Sequence, residues 1–307
     1  MTETTRPLTY GDYTVGWICA LPETELVAAG AMLDEEHPVL PAADPQDANS
    51  YLLGKIGSHN VVIACLPAEK TGTVSAAIVA KDMLRSFKAV RFGLMVGIGG
   101  GAPYYGVADN LNHDGGDSED EDSEEDDPGD MRDIRLGDVV ISLHSKSAEA
   151  VLQYDFGKSV QGGEFIRTGT LNKPPNMVLS AVAMLRGQHR RKGHKISEHL
   201  SKMISENPRL AEKFRDQGSS KDRLFKPEVI HVSEKKSCKP CCGPLDINLV
   251  KRKVRSDTSP VLHYGTIGSA DQVMKDSALR DEWARKENII CFEMEAAGEF
   301  QSHILRV

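Results

Sequence analysis

The sequence predicts an α/β protein with a large, mostly parallel or mixed central sheet. Along its 307 residues, short apolar runs typical of buried strands alternate with segments whose apolar side chains recur at helical spacing. Glycines and carboxylates follow several of the strand-like runs, and the carboxyl ends of strands are where α/β sheets bind ligands. Candidate functional residues are therefore expected at those strand ends.

The first third of the chain shows this alternation most clearly. Its last strand ends in Gly99-Gly100-Gly101, where the missing Cβ atoms let backbone N–H groups approach a ligand closely. The glycine spacing fits neither a Walker loop nor a dinucleotide-binding fingerprint. The predicted elements are a strand over 13–21, a helix over 24–33 with Thr24 as its cap, paired strands over 50–56 and 60–66, a helix over 71–87 and a strand over 90–98.

The rest of the chain continues the alternation and adds two insertions. Residues 109–130 hold twelve acids and no Lys or Arg, so we expect a disordered segment there; without it the formal net charge of −8 becomes +4. Residues 174–258 are interpreted as a helical, cysteine-containing insertion. The predicted elements are strands over 139–141 and 152–156, helices over 178–185 and 196–204, a strand over 261–269, a helix over 277–286 and a strand from 289.

Composition argues against several kinds of partner. No stretch approaches the ~20 apolar residues of a membrane span, and residues 1–12 form a polar, flexible N-terminus without the apolar core of a signal peptide. Basic residues cluster at 186–195 without the aromatic residues that stack on bases, so no nucleic-acid partner is expected. Cys19, Cys65 and Cys291 lie in apolar runs, as buried thiols do in reducing compartments, which favours the cytoplasm.

A second group of cysteines lies in the segment Cys238-Lys239-Pro240-Cys241-Cys242, which contains a Cys-x-x-Cys spacing. A zinc site needs further ligands, for which His231 is the nearby candidate and His263 a more distant one. Free thiols in a loop, or a labile disulfide, are the interpretation that the sequence favours. No bound metal is therefore predicted.

Two carboxylates flank a methionine where the last strand-like run ends, in Glu293-Met294-Glu295. On an extended chain Glu293 and Glu295 would lie on one side and Met294 on the other. A carboxylate accepts two hydrogen bonds from a vicinal diol, and a thioether offers a soft apolar surface. The segment therefore predicts a sugar-binding corner. An ordinary strand-to-helix junction with solvated acids is the alternative.

Five motifs occur in an order that points to a known family, and the segment around Glu293 to Ala297 is the most specific of them. They are the strand 15–21 with a nearby Glu, Val96-Gly97-Ile98-Gly99-Gly100, Leu136-Gly137-Asp138-Val139-Val140, Gly268-Ser269-Ala270-Asp271 and Glu293-Met294-Glu295-Ala296-Ala297. Over residues 13–300 the chain resembles the nucleoside phosphorylase family, which has the phosphorylase-I-type α/β fold. That family includes purine nucleoside phosphorylases, uridine phosphorylases and the methylthioadenosine/S-adenosylhomocysteine nucleosidases.

The resemblance implies a three-layer α/β/α fold with a mixed central sheet, forming one domain over 13–307. It also implies cleavage of the N-glycosidic bond of a purine nucleoside or nucleotide, and it leaves room for a homo-oligomer, since family members are usually oligomeric. More closely, the chain looks like the eukaryotic branch of the family, whose domains are often attached to NTPase and repeat modules.

The resemblance also implies roles for individual residues. Glu295 would hold the ribose 2′- and 3′-hydroxyls, with Met294 against the sugar and Glu293 close by. Glu25 would activate water, and Glu23 is the alternative because the stretch 21–25 is one residue longer than the family pattern. The remaining implied contacts are Gly97 and Gly99 on the nucleophile side of the anomeric carbon, Phe156 and Val273 against the base, and Ser269 and Asp271 in the segment leading to the base.

Water is favoured over phosphate as the nucleophile. Bacterial hexameric purine phosphorylases hold phosphate with an Arg and a Ser around the glycine turn, and Met95 and Ile98 stand at those positions here. A dianion needs charge-assisted donors to leave water, whereas water as nucleophile needs only a base such as Glu25. Phosphate stays as an alternative co-substrate, with Arg91 or Arg135 as the source of charge. No other cofactor is implied.

The end of the sequence departs from the family pattern. Family members continue into a further strand, whose Asp protonates or hydrogen-bonds the leaving purine, and then into a long helix, whereas this sequence ends at Val307. A positioned general acid contributes typically ~10²–10⁴-fold in rate. The alternatives to an active enzyme are therefore a catalytically impaired nucleoside-binding or scaffold module, or a truncated product of a longer parent.

Overall fold

The computed structural model describes residues 6–41, 43–104, 132–144, 148–163, 165–232, 238, 242–243 and 245–301. The acidic insertion expected over 109–130 lies outside these residues, and so does Cys241.

In the N-terminal segment, a 3₁₀ turn over Tyr10–Asp12 packs on the domain, and the ring centroid of Tyr10 lies 4.7 Å from that of Phe87. None of the helices in the described ranges has the length and apolar character needed to cross a membrane.

The first of two five-stranded sheets is formed by the N-terminal third of the chain. It contains β1 (Val15–Cys19), β2 (Glu35–His37), β3 (Tyr51–Ile56), β4 (His59–Cys65) and β5 (Phe92–Met95). The strand order is β2-β3-β4-β1-β5. β1 runs parallel to β4 and β5, while β2 pairs antiparallel with β3 and β3 with β4, so the sheet is mixed. The predicted hairpin is confirmed as β3 and β4.

Two helical segments of this region carry residues of the candidate site. A π-helical turn over Pro22–Leu26 follows β1 and runs directly into α1 (Val27–Ala31). The longer α2 (Thr73–Ser86) packs on the sheet through a face that includes buried Ala76, Val79, Ala80 and Met83, while Val74 and Ile78 are exposed. Gly16 in β1 permits close packing here, because a Cβ at that position would lie 2.8 Å from the sulfur of Met83. This contact packs the last turn of α2 closely against β1.

The second sheet is built around a central parallel strand. Its members are β6 (Gly100–Gly101), β7 (Val139–Ser142), β8 (Val151–Gln153), β11 (Leu262–Ser269) and β12 (Ile289–Glu293), while β9 (Gly157–Ser159) and β10 (Phe165–Arg167) form a separate antiparallel pair. β11 pairs in parallel with β7, β8 and β12, and β6 pairs antiparallel with β12. The predicted strand over 152–156 ends at Gln153, and Phe156 lies between β8 and β9.

The helical insertion contains α3 (Asn176–Lys192), α4 (Ile196–Glu206), α5 (Ala211–Phe214) and α6 (Leu245–Asn248). No residue of α3 is buried, and in α4 only Met203 is. The insertion nevertheless contacts the second sheet and the turn that follows β1. The guanidinium of Arg186 lies 4.9 Å from the ring centroid of Tyr264 in β11, and the Lys213 ammonium donates to the carbonyl of Glu23 at 2.8 Å.

Two further helices flank the last strand. In α7 (Ser277–Glu287), Asp276 is the N-cap, since its Oδ1 accepts from the backbone N–H groups of Ala278 and Leu279 at 2.9 and 3.1 Å. Asn288, in the left-handed region at φ 53°, ends the helix and starts β12. After β12 the chain enters α8 (Ala296–Gln301), which packs against α2.

The predicted α/β class is confirmed: the sheets are mixed and helices cover both sides. The structure adds that the hydrogen-bonded strands fall into two five-stranded groups. The short strands β2, β6, β9 and β10 were not predicted, because two or three residues without alternating apolar side chains give no periodic signal.

Candidate functional site

Five parts of the chain meet where the two sheets adjoin. The first sheet contributes the turn that follows β1 and the glycines that follow β5. The second contributes the residues at the carboxyl ends of β11 and β12. The N-terminus of α2 lies between them, and its first backbone N–H groups reach carboxylates from the second sheet. Ligand sites of α/β proteins occur at such strand ends.

Glu25 lies in the π-helical turn, and its carboxylate is held by three backbone N–H groups. Oε2 accepts from Ala20 and Leu21 at 2.6 and 3.0 Å, and Oε1 accepts from Ile98 at 2.8 Å. A carboxylate has about four acceptor positions, so about one is left, on Oε1. Gly97 packs against this carboxylate, because a Cβ on it would lie 2.8 Å from that same oxygen. The free position of Glu25 therefore faces the glycine turn.

Glu23, the alternative to Glu25, is exposed on the outer side of the same turn. Its backbone carbonyl accepts the hydrogen bond from Lys213 of the insertion. The structure therefore separates the two glutamates: Glu25 lies against the glycine turn and Glu23 lies at the surface.

Glu295 is buried just beyond the end of β12. Its Oε1 accepts the backbone N–H of Gly72 at 3.0 Å. Burial raises the pKa of the Glu295 carboxyl, hydrogen bonds from the N–H groups of Gly72 and Met294 oppose this, and the negative charges of Glu25 and Asp271 raise it further. Since both carboxylates influence Glu295, the three acidic groups lie near one another, and we call the region between them the carboxylate cleft.

Asp271 follows β11 and binds the start of α2. Its carboxylate accepts the backbone N–H of Thr73 at 2.7 Å and the Thr73 hydroxyl at 2.9 Å. Gly72 has a φ of 93°, and a Cβ on it would lie 2.6 Å from Asp271 Oδ1, so only glycine fits between the two carboxylates. The backbone N–H of Asp271 in turn donates to Asp155 at 2.8 Å.

Glu293 has a different role from Glu295. β12 ends at Glu293, and its Oε2 accepts the backbone N–H groups of Glu295 and Ala296, both at 2.8 Å. The carboxylate therefore closes the turn into α8. Burial raises the pKa of the Glu293 carboxyl, and the neighbouring charge of Glu295 adds to the increase. The extended geometry that would place both glutamates on one side ends before Glu295, since Met294 and Glu295 form a bend.

Small residues after Glu295 allow α8 to approach α2 closely. A Cβ on Gly298 would overlap the backbone of Thr73 at the start of α2. Ser269, fully buried at the end of β11, accepts the Ala297 N–H through its hydroxyl at 3.0 Å. Ser269 thus anchors α8 to β11, and half-buried Met294 lies in the bend between β12 and α8.

The glycine run connects the two sheets. β5 belongs to the first sheet and Gly100–Gly101, as β6, to the second. A Cβ on Gly99 would overlap the sulfur of Cys291 in β12, and one on Gly101 would lie 2.8 Å from Ile134. Burial raises the pKa of the Cys291 thiol to about 12, so this cysteine is an inert packing residue. Close passage of the backbone over β12 is therefore one reason for the glycines.

The residues expected against the base lie farther along the second sheet. Phe156 is 55% exposed and borders a cavity of about 200 Å³ that Glu149 and Arg167, an ion pair at 2.9 Å, also line. Asp155, which binds the Asp271 N–H, accepts from Gln153 in the wall of this cavity at 3.0 Å. Val273 is 62% exposed. The structure connects Phe156 to the carboxylate cleft through Asp155 and leaves Val273 at the surface.

The comparison with known proteins found one curated relative and a group of solved structures. No protein-family model matches the chain. This chain is 42% identical over 287 residues to a nucleotide-binding leucine-rich repeat (NLR)-like protein of Hyaloscypha variabilis. The alignment covers 94% of this chain and 25% of the relative. The chain thus spans about a quarter of the length of the curated relative that it matches.

Among solved structures, the chain is similar to the 5'-methylthioadenosine/S-adenosyl homocysteine nucleosidase of Helicobacter pylori, with 13% identity, a TM-score of 0.48 and coverage of 94% of this chain and 78% of that one. It is also similar to the futalosine hydrolase of Helicobacter pylori, with 13% identity, a TM-score of 0.47 and coverage of 95% and 78%. The nucleosidase of Neisseria meningitidis has 16% identity, a TM-score of 0.45 and coverage of 94% and 78%.

Proposed function

We propose that this chain cleaves the N-glycosidic bond of a purine nucleoside or nucleotide. The observation that supports the proposal is the convergence of two carboxylates from different sheets. Glu25 comes from the turn after β1 and Glu295 from the end of β12, and the charge of Glu25 raises the pKa of Glu295. Two acids at one cleft can hold a sugar and stabilise the positive charge that develops at its anomeric carbon.

Glu295 is the residue proposed to hold the ribose. The Gly72 N–H takes one of the four or so acceptor positions of its carboxylate, and the Met294 N–H lies close to the same group. About two positions are left, which is the number that the two hydroxyls of a vicinal diol require. Half-buried Met294, beside it, offers an apolar surface to the sugar ring.

Water is the proposed nucleophile, activated by Glu25. A single free position on Oε1, facing the glycine turn, suits one water molecule. Phosphate would bring further negative charge into a cleft that already holds several carboxylates. Arg135 is engaged by Asp133 at 2.6 Å, and Arg91 precedes β5, at the opposite end of that strand from Gly97. Among the described residues, no Lys or Arg forms an ion pair with Glu25, Glu295 or Asp271.

The purine is proposed to lie on the side of Asp155 and Phe156. A half-exposed ring beside a cavity provides a stacking surface for a base. The hydrogen bond from the Asp271 N–H to Asp155 holds this surface next to the carboxylates that are proposed to bind the sugar. Val273, two residues after Asp271 and 62% exposed, is proposed as the outer edge of this base wall.

A nucleoside-binding module without turnover is the second candidate. It is favoured by one observation: three backbone N–H groups already occupy the carboxylate of Glu25. Such a carboxylate can shape a cleft and fix the glycine turn without ever taking a proton. The curated relative, described as a nucleotide-binding leucine-rich repeat-like protein, is about four times as long as the matched segment, which leaves room for such a module within a larger chain.

The experiment measures release of free base. The purified chain is incubated with adenosine, inosine, methylthioadenosine or ATP, with and without inorganic phosphate, and the products are separated by liquid chromatography. We expect base release without phosphate, and a loss of about 10²-fold or more in kcat for Glu25→Gln. Glu198→Gln, an exposed glutamate in α4, is the matched control and should retain the rate.

The outcomes separate the candidates. Release that requires phosphate would replace hydrolysis by phosphorolysis. Binding of adenosine in calorimetry without release under either condition would reject the enzyme and support the binding module. Neither binding nor release with any of the four compounds would reject both.

A further inference from the structure

We propose that His231, Cys238 and Cys242 form a zinc-binding site in the helical insertion. The ligand atoms of these three side chains all lie within 4.8 Å of one another. The Nδ1 atom of His231 and the Sγ atom of Cys242 are 3.2 Å apart. This trio differs from the sequence prediction, which favoured free thiols or a labile disulfide in this segment.

The distances fit a tetrahedral zinc ion. Zinc lies about 2.3 Å from a thiolate sulfur and about 2.0–2.1 Å from an imidazole nitrogen, so two sulfurs on one ion are about 3.8 Å apart and a sulfur and a nitrogen about 3.6 Å. The observed separations of 3.2 Å and up to 4.8 Å bracket these values. Small side-chain rotations are enough to bring the three ligand atoms to one ion.

Local backbone structure brings the two cysteines together. The backbone N–H of Cys242 donates to the carbonyl of Cys238 at 2.9 Å, the bond of one helical turn. Residues four apart on a helical turn lie on the same face, so both sulfurs point the same way. The pair that this bond aligns is Cys238 and Cys242, spaced Cys-x-x-x-Cys, and Cys241 lies outside the described residues.

Cys242 is also the best-fixed member of the trio. Its residue is 5% exposed, and its carbonyl accepts the side-chain amide of Asn248 at 2.5 Å. Gly243, at φ 68°, turns the chain directly after it. The second histidine considered from the sequence, His263, lies in β11 and binds Asp138 through Nε2 at 2.9 Å, so it is committed elsewhere.

The chemistry of the ligands selects the metal. Two thiolates and one imidazole are the ligands that zinc prefers, whereas calcium and magnesium take oxygen. Three protein ligands leave the fourth position of the tetrahedron to water or to another donor. The site lies outside the carboxylate cleft, and its proposed role is to hold the insertion together.

That role follows from the contacts that hold the ends of the segment 225–249 together. Residues 225 and 249 form an isolated antiparallel bridge, and the Lys226 N–H donates to the Asn248 carbonyl at 2.9 Å. α6 has only four residues, too few for a stable isolated helix. The Ser277 hydroxyl donates to the Pro227 carbonyl at 2.8 Å, which connects the segment to the start of α7. A metal would cross-link the chain inside this closed loop.

The test measures bound zinc. The full chain is produced in zinc-supplemented medium, freed of loosely bound metal by gel filtration and assayed by mass spectrometry of the element. We expect about one zinc per chain, and less than a tenth of that in Cys242→Ser and His231→Gln. Cys65→Ser and His199→Gln change a cysteine and a histidine outside the site and should keep the full amount.

A further variant separates metal loss from misfolding. His231→Cys replaces the imidazole by a third thiolate, so it should retain zinc, and with cobalt it should give stronger thiolate-to-metal charge-transfer absorption than the wild type. Three results would overturn the proposal. They are a wild-type chain that takes up no zinc on titration, a Cys242→Ser variant with undiminished zinc, and an intact mass that shows a Cys238–Cys242 disulfide.

Discussion

At the scale of single residues, the backbone path decides what each carboxylate does. Glu293 and Glu295 are two residues apart and look equivalent in the sequence. β12 ends at Glu293, whose carboxylate turns forward to the N–H groups at the start of α8. Glu295 instead accepts the N–H of Gly72, the N-cap of α2, and the charges of Glu25 and Asp271 raise its pKa. One glutamate therefore shapes the turn, and the other faces the cleft.

Replacement of Glu295 by glutamine should weaken nucleoside binding about 10- to 100-fold. Gln keeps the size of the side chain but loses the charge, and hydrogen bonds to charged groups contribute about 1.5–3 kcal/mol. Because the pKa of Glu295 is raised, wild-type affinity should increase as pH rises through that pKa, whereas E295Q should show no such increase. Calorimetry with adenosine over a pH series measures both effects.

The control for this prediction is Glu198→Gln, which removes the same charge from an exposed position. Its affinity and pH profile should match those of the wild type. An E295Q protein that binds adenosine as tightly as the wild type would show that the diol is held elsewhere.

At the scale of elements, the contact between α2 and α8 positions the candidate site. The start of α2 and its N-cap supply the N–H groups of Thr73 and Gly72, and α8 follows Glu295 directly. Gly298 makes their close approach feasible, because its missing Cβ leaves room for the Thr73 backbone. The small residues 296–298 therefore allow α8 to pack closely against α2, in addition to favouring a helix.

Gly298→Ala should lower the free energy of unfolding by about 1–3 kcal/mol, the usual cost of overpacking a close contact. It should also weaken nucleoside binding, since α2 would move away from Glu295. Gly187→Ala is the matched control: it lies inside α3 with open space around it, and Ala should stabilise that helix by about 0.5–1 kcal/mol. Urea denaturation measures both changes, and equal effects of the two variants would contradict the packing argument.

At the scale of the whole molecule, one buried aspartate connects the second sheet to the insertion. Asp138, just before β7, accepts two hydrogen bonds from the Arg255 guanidinium at 2.7 Å each and one from His263 in β11 at 2.9 Å. Burial alone would raise the pKa of Asp138, but these bonds outweigh it and hold the pKa well below its usual range. The ionised form is therefore the one that stabilises the fold.

Asp138→Asn should lower the free energy of unfolding by about 3–5 kcal/mol at pH 7, because it leaves Arg255 without its buried partner. The pKa of Asp138 is lower in the folded than in the unfolded chain, so its contribution is complete above about pH 4, the unfolded value, and disappears as pH falls further. The difference between wild type and D138N should accordingly shrink below about pH 4.

Denaturation at several pH values checks this prediction. Asp257→Asn is the control, since Asp257 is exposed and binds only neighbouring residues, and it should change the free energy of unfolding by no more than about 0.5 kcal/mol. A D138N protein as stable as the wild type at pH 7 would show that Asp138 does not hold the insertion to the sheet.

The sequence by itself determined the class of fold and the positions of most elements. Apolar periodicity is a local property, because each residue is compared with neighbours one to four positions away. The hairpin β3–β4, the long helix α2 and the strands β11 and β12 were therefore predictable. The glycines after β5 and the acids near β12 could be identified as special positions for the same reason.

Only the tertiary structure decided which of these residues meet. Glu295 and Gly72 are 223 residues apart in the chain, and Glu25 and Ile98 are 73 apart. No local pattern encodes such contacts, since they depend on how the two sheets and α2 pack. For the same reason, the pairing of His231 with Cys242 and the division of roles between Glu293 and Glu295 became evident only in three dimensions.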